Sequence, residues 1–389
     1  MKQPKTTRKI SKDESLILAR TSKIMSMVSK GIKEKEDFAT DLPYIIGLKL
    51  TNQCNLRCKH CYEWNEQGYH HNLSKKEQNQ ELEFELFQKI MDETKEVKSN
   101  LYLWGGEPLV HSAFDKISRI VEKDNRITAI CTNGILIDKK LDDILRFGKN
   151  LELLIAVDGF EEDNDALRGK GTFEKVIRNI KHLLDLRKEN IFQGKISIHC
   201  VLTGDNLSRI FEFVKYFEGL GVDSVILCFP WYISMETSKK TDVYYKERFG
   251  ELHSFPPSWH AYKFQFPIDR IEELLQVRKK VLDNVWNIQV KFQPNLSDEE
   301  ILPFLKDESN IQKNYRCYSI ADRMEVLPSG EVTSCKHFSE FTVGNLKEYS
   351  VKEIWHNEKF NNIRRTIQSE LMPACSKCNN LYLHGRRNN

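Results

Sequence analysis

Between residues 44 and 229 the chain repeats one pattern: a short aliphatic or β-branched run, then a longer stretch with apolar residues at helical spacing. The runs are 44–51 (YIIGLKLT), 101–104 (LYLW), 127–132 (ITAICT), 151–157 (LELLIAV), 195–203 (KISIHCVLT) and 224–229 (SVILCF). The stretches between them predict helices at about 81–97, 111–123, 138–147, 172–189 and 206–219. Each strand must cross over through a helix to reach a parallel neighbour, which leaves few topologies open. The pattern predicts an α/β fold, a partial (β/α)6 barrel. Such sheets carry their chemistry at the carboxyl ends of the strands, so functional residues are expected in the loops that follow them.

The flanking regions break this rhythm. Residues 232–310 hold Tyr, Trp and Pro-rich turns and a helix near 268–284, and read as a bridging insertion. From 311 to 389 a smaller α+β unit is expected, with a hairpin signal in Met324–Leu327, "PSG" and Glu331–Ser334. Residues 1–43 precede the barrel. Within 1–36 there are ten Lys or Arg against four Asp or Glu. Ile17, Ile24, Val28 and Ile32 recur at helical spacing with Met25 beside them, so an amphipathic helix is expected after Ser11, packed on the main body. This arm reads as solvated and partly frayed, or else as a docking surface for an acidic partner or a leader peptide.

Overall charge is only +3 across 389 residues, which does not call for a nucleic-acid partner. No run of eighteen apolar residues and no signal-like hydrophobic region occur, so no membrane span is expected and the location reads as cytoplasmic. In a reducing compartment the ten cysteines point to metal binding or catalysis rather than disulfides.

Directly after the first strand stands CNLRCKHC, with Cys54, Cys58 and Cys61 spaced C-x3-C-x2-C. One loop with this spacing can wrap three corners of a cube-shaped [4Fe–4S] cluster, leaving the fourth iron without a protein ligand. An open metal position marks a site that binds something else. The alternative is a structural zinc site completed by His70 or His71. His60 is adjacent to Cys61, a poor position for ligating the same ion. After the second strand comes Gly105-Gly106-Glu107-Pro108, which alone reads as a strand-end turn.

A second set lies in the tail: Cys317, Cys335 with Gly330 placed as G-x4-C, then Cys375 and Cys378 as C-x2-C. Four cysteines can enclose a cluster or a zinc ion of the ribbon type. Cys131, Cys200 and Cys228 fall in predicted strands, where a small buried core residue is the ordinary reading. Cys228 ends the sixth strand near the functional rim.

Taken together, the cysteine loop after the first strand and GGEP after the second resemble the radical S-adenosylmethionine (SAM) superfamily. The resemblance implies that Cys54, Cys58 and Cys61 hold a [4Fe–4S] cluster whose fourth iron is chelated by the amino and carboxylate groups of SAM. An electron from the reduced cluster would break the C5′–S bond, and the resulting 5′-deoxyadenosyl radical would take a hydrogen atom from the substrate. Gly105, Gly106, Glu107 and Pro108 match the family's glycine-rich SAM motif. His60 holds a position often aromatic in the family, near the adenine. Thr132–Gly134, with Asn133, and Val157–Gly159 look like family strand ends, and Arg168 lies in the stretch "LRGKGTF" that follows. Ala156 stands where relatives often carry Ser, so the SAM carboxylate is expected to rely more on Arg168 or other donors.

The tail resembles the SPASM/twitch modules of the same superfamily. The longer SPASM type continues with two further cysteines, where this chain has His384 and Asn388. That implies the shorter twitch type, with one auxiliary [4Fe–4S] cluster on Cys317, Cys335, Cys375 and Cys378. The resemblance covers about 44–231 and 311–389.

The function implied is oxidoreductase-type maturation of a ribosomally made peptide natural product, fed by a reductant such as flavodoxin or ferredoxin. Forty-three residues before the barrel are short for a leader-recognition domain, so a separate recognition protein or direct core binding is expected. The alternative is a sugar or aminocyclitol dehydrogenase or epimerase. Its small polar substrate would be closed in by Trp231, Tyr232, Trp259 and Tyr262, and an epimerase would use Cys228 as hydrogen donor. A non-enzymatic electron carrier is the third reading; the open iron position and the glycine motif speak against it.

Overall fold

A computed structural model describes residues 2–252, 256–308 and 315–384. Its strands are β1 (Lys5–Thr6), β2 (Ile45–Lys49), β3 (Asn100–Trp104), β4 (Thr128–Thr132), β5 (Leu151–Ala156), β6 (Lys195–Val201), β7 (Ser224–Cys228), β8 (Val285–Trp286), β9 (Gln289–Gln293), β10 (Arg323–Val326), β11 (Glu331–Thr333) and β12 (Thr342–Asn345). β2 to β7 lie side by side in chain order, all parallel. The sheet continues past them at both edges. β9, from the bridging segment, adds parallel to β7, and β10, from the tail, adds parallel to β2. The predicted hairpin is β10–β11, with β12 beyond it. The result is one α/β sheet of ten strands, dominated by parallel pairing, whose outermost strands are not paired with each other among the described residues.

Helices cross between the strands at Phe84–Glu93, Phe114–Asp124, Leu141–Leu145, Thr172–Lys188 and Ile210–Leu220. The first begins later than the sequence suggests because Glu81 bridges Thr51 as extended chain. A further helix, Glu161–Arg168, follows β5.

The register sorts the side chains by face. Leu48, Leu103, Ile130, Ile155, Ile198 and Leu227 point under the helices and are fully buried. Tyr102, Cys131, Glu152, Ser197, His199, Cys228 and Lys291 share the opposite face. Parallel strands covered on both sides usually read as continuous apolar runs. Here the alternation builds a polar interior on the concave side of a partial barrel.

The N-terminal arm is a docked helix, Lys12–Glu34, opened by a capping box between Ser11 and Glu14. Val28 and Ile32 are buried with Ala321, and Ile24, Phe38 and Tyr318 pack around them. Each buried side chain contributes about 1.5–3 kcal/mol. β1 pairs in parallel with β8. Glu14 reaches Arg8 (2.5 Å) and Lys195 at the start of β6 (2.6 Å). Against the cost of burial, these two cations hold the Glu14 carboxyl down at about 2. The arm therefore covers the end of the sheet where the strands begin. Among the described residues no helix is long and apolar enough to cross a membrane.

Gly47 of β2 leaves room for the buried Glu325 carboxylate, and a Cβ there would overlap it. Glu325 accepts from Trp104 Nε1 (3.2 Å) and pairs with Arg323. We expect Gly47→Ala to cost about 1–3 kcal/mol through overpacking. Anaerobic urea unfolding measures this, and an unshifted midpoint would refute it.

Candidate functional site

The loop that leaves β2 carries Cys54, Cys58 and Cys61, and it lies directly on the chain that leaves β3. Gly106 N–H donates to Thr51 O (2.9 Å) and Glu107 N–H to Gln53 O (2.7 Å). A Cβ on Gly105 or Gly106 would run into the carbonyls of Thr51 or Gln53, and Gly105 has φ +150°. The closest approach at both glycines thus comes from the cysteine loop itself. Pro108 opens a buried turn at 108–110, where its missing N–H costs nothing.

The Glu107 carboxylate faces inward. It accepts from Thr132 Oγ1 (2.7 Å), Asn133 N–H (2.7 Å) and Leu109 N–H (3.1 Å). Burial still pushes it up to about 7. Glu107 therefore ties the loop after β3 to the end of β4. Asn133 in turn donates to Asn55 Oδ1 (2.8 Å) and lies 4.0 Å from Cys54 Sγ.

Asp158, at the end of β5, is the hub on the other side. Its Oδ2 accepts from Arg168 Nε (2.7 Å) and its Oδ1 from Val201 N–H (2.7 Å). Arg168 is thereby engaged, with Nη1 3.8 Å from Cys58 Sγ. His60 Nε2 is 3.5 Å from Asp158 Oδ2, its ring meets Phe264 edge-on, and its Nδ1 has no partner among the described residues. Burial pushes His60 down to about 4, so the ring is neutral. Ala156 lies on the interior face opposite His199.

Sequence reasoning brought Cys54, Cys58, Cys61, His60, Gly105 to Pro108, Asn133 and Arg168 to one place, and the structure gathers them at the carboxyl ends of β2 to β5. It missed Asp158 as the hub, although "VDG" was in view. It also missed the buried set of Lys49 with Glu63 (2.7 Å), Tyr69 (3.0 Å) and His70 (3.0 Å), which holds the far side of the loop. A lysine on the last residue of a buried strand was the available signal.

Burial pushes Cys54 and Cys61 up to about 12, helped by the carboxylates of Glu107 near Cys54 and Glu63 near Cys61 and then by the neighbouring thiols. Ionising this set needs a cation placed among the sulfurs. N–H groups of Leu56 and Trp64 already point at Cys54 (3.5 Å) and Cys61 (3.4 Å). Among the described residues no three Cys, His, Asp or Glu side chains converge as ligands of one ion. Zinc would draw its ligands to about 2.3 Å from a single centre. Three thiols with an arginine beside them, and no fourth ligand among the described residues, fit a [4Fe–4S] cluster with an open iron.

In the tail Cys317, Cys335, Cys375 and Cys378 line one cavity, with Arg323, Lys336 and His337 also in its walls. Burial pushes all four upward, Cys317 to about 12; neighbouring thiols add to this at Cys317, Cys335 and Cys375, whereas Lys336 and Arg323 work against it at Cys378. This set too fits an iron–sulfur cluster, closed by four cysteines. Asn388 and the side chain of His384 lie outside the described residues, as does the chain at 309–314 where the tail unit was expected to begin.

Between the two cysteine sets stands an aromatic wall. Tyr62, next to Cys61, stacks on Tyr262 at 4.3 Å, and Trp231 meets His337 at 4.4 Å. Tyr262 donates to His337 O (3.1 Å). Trp259 is buried in the core, and Tyr232 is partly buried. Cys228 and Cys131 both occupy the interior face, whereas Cys200 is buried on the helix side.

Comparisons with known proteins agree with this geometry. The family model described as the radical SAM superfamily matches residues 48–217, and SPASM, an iron–sulfur cluster-binding domain, matches 317–379. The tungsten-containing aldehyde ferredoxin oxidoreductase cofactor-modifying protein of Pyrococcus furiosus is 24% identical over 353 residues, which is 85% of this chain and 86% of that protein. Mycofactocin maturase of Mycolicibacterium smegmatis is 29% identical over 182 residues, 46% of this chain and 43% of its own length, so the chain spans under half of that relative. The crystal structure of Streptococcus suis SuiB bound to precursor peptide SuiA shares the fold, with TM-score 0.60 and 15% identity over 87% of this chain and 70% of that one.

Glu107→Gln would set an amide NH2 either against Asn133 N–H, where Oε2 now accepts, or against Thr132 Oγ1 and Leu109 N–H, where Oε1 now accepts. Iron bound at the loop cysteines is expected to fall about tenfold or more. Iron analysis of this variant in a Cys317→Ala background, where the loop site alone is read, checks it; full loop occupancy would count against the brace.

Proposed function

We propose that this chain, which belongs to the radical SAM superfamily and carries a C-terminal SPASM domain, oxidises a residue of a ribosomally made precursor peptide. The observation that carries the reading is the polar interior face of the sheet between the two cysteine sets. A cluster on Cys54, Cys58 and Cys61 would supply reductive SAM cleavage and hence a 5′-deoxyadenosyl radical. Around it the protein's own groups have distinct tasks. Gly105 and Gly106 bring the two loops together, and Glu107 and Asn133 brace them. The Asp158–Arg168 pair steadies Cys58 and puts a positive charge near its sulfur. Neutral His60 offers a flat apolar face and one unpartnered nitrogen, suited to an adenine. The wall of Tyr62, Tyr262 and Trp231 keeps water from the interior. Similarity to mycofactocin maturase and to the fold of peptide-bound SuiB supports a peptide substrate.

A small polar substrate is the second reading. It is favoured by the closed end of the sheet, where Glu14 and Lys195 pair, and by the burial of Trp259 and Tyr262. The interior thiols of Cys131 and Cys228 would suit an epimerase among such enzymes, as hydrogen donors.

Anaerobic incubation with SAM and dithionite should yield 5′-deoxyadenosine and methionine; their absence would sink the enzyme reading. Mass spectrometry of a short peptide encoded beside the gene should show loss of two hydrogens after reaction. An unchanged peptide beside an oxidised small substrate would decide for the second reading. Reconstituted protein should hold about eight irons, and Cys335→Ala about half of that with SAM cleavage retained. About four irons plus zinc in the parent would overturn the auxiliary cluster.

A further inference from the structure

We propose that Lys336, with Arg323 beside it, raises the reduction potential of the cluster held by the tail cysteines, so that this site can take the electron left on a substrate in the barrel interior. The inference rests on the assignment of a cluster to Cys317, Cys335, Cys375 and Cys378.

The cavity those four thiols line is also lined by Lys336, Arg323 and His337. Arg323 and His337 have buried polar atoms without partners among the described residues. The Lys336 ammonium lies 4.0 Å from the centre of the Tyr102 ring and 5.8 Å from that of Trp104, and meets no acceptor among the described residues. Arg323 spends Nε on Glu325, while its buried Nη2 has no partner there. His337 is 7% exposed, and both its ring nitrogens lack partners among the described residues. Glu325 is the one carboxylate in the cavity wall among the described residues, and it is committed to Arg323 and to Trp104 Nε1.

Cationic and donor groups sequestered without acceptors are costly unless something negative fills the space they face. Four thiolates around an iron–sulfur core carry net negative charge, and reduction adds one more unit. A nearby ammonium stabilises the reduced form more than the oxidised form, which raises the potential. The location gives this bias a use. Tyr102 and Trp104 belong to the interior face of β3, in register with Gly47 and Lys49. Lys336 thus sits at the boundary between the cysteine cavity and the barrel interior. A substrate that has lost a hydrogen atom carries one unpaired electron. Passing that electron to the oxidised cluster and a proton to solvent completes a two-electron oxidation.

The test uses the full chain with Cys54, Cys58 and Cys61 all changed to Ala, reconstituted so that only the tail cluster is present. Its potential is read by EPR-monitored redox titration. Lys336→Met and Lys336→Gln are each expected to weaken reduction about tenfold or more, a shift of about 60 mV to the negative at 59 mV per tenfold change. Lys336→Arg keeps the charge and is expected to titrate with the parent. Neutral variants at the parent potential, or an Arg variant shifted as far as Met, would overturn the proposal. A parent that binds no tail iron would instead remove the cluster assignment, and this inference with it.

Discussion

Glu107 is buried without an ion-pair partner among the described residues, and its charge is spread over donors from Thr132, Asn133 and Leu109. Burial alone would drive such a carboxyl to the neutral form; the donors bring it back to about 7. The loops after β2, β3 and β4 meet at this point. The cysteine loop lies against Gly105 and Gly106, which hang from the same residue. The placing of three thiols around an open position is therefore a property of this knot as much as of the cysteines. The Asp158–Arg168 pair does the matching work from β5 and β6, so two carboxylates frame the loop from opposite sides.

The two cysteine sets differ in how they are finished. The loop set has backbone N–H groups, an arginine and an asparagine around its sulfurs, and three thiols only. The tail set has four thiols and a wall with two cations. A site built to take a ligand and a site built to hold charge would be furnished in these two ways. The interior face of the sheet runs between them, and the aromatic wall of Tyr62, Tyr262 and Trp231 spans the same gap.

Much of this was legible in the sequence, for physical reasons. The six strand runs and the cysteine spacing are local signals, and β2 to β7 lie within a residue or two of where they were read. The helix Glu161–Arg168 escaped notice because EEDNDALR has too few apolar residues to show a period. The pairing of β9 with β7 and of β10 with β2 was invisible because such contacts join residues far apart in the chain, Ser224 with Gln289 and Arg323 with Ile45. Glu107 was marked as a ligand-side residue, but its carboxylate turns inward to brace the loops. Lys336 was passed over because a lysine beside a cysteine reads as a surface residue until its neighbours are known. The alternation in KISIHCV, with Ser197 and His199 on one side, was a hint of the polar interior. It was available because a parallel strand buried on both faces would not alternate.

The docked N-terminal arm has a consequence for how the two cysteine-bearing units are held. Its helix packs on Tyr318 and Ala321 ahead of β10, Arg20 donates to the carbonyl of Val97 ahead of β3, and Glu14 pairs with Lys195 at the start of β6. One segment thus straps the tail unit to two separate strands of the barrel unit, at the end of the sheet away from the cysteine loop.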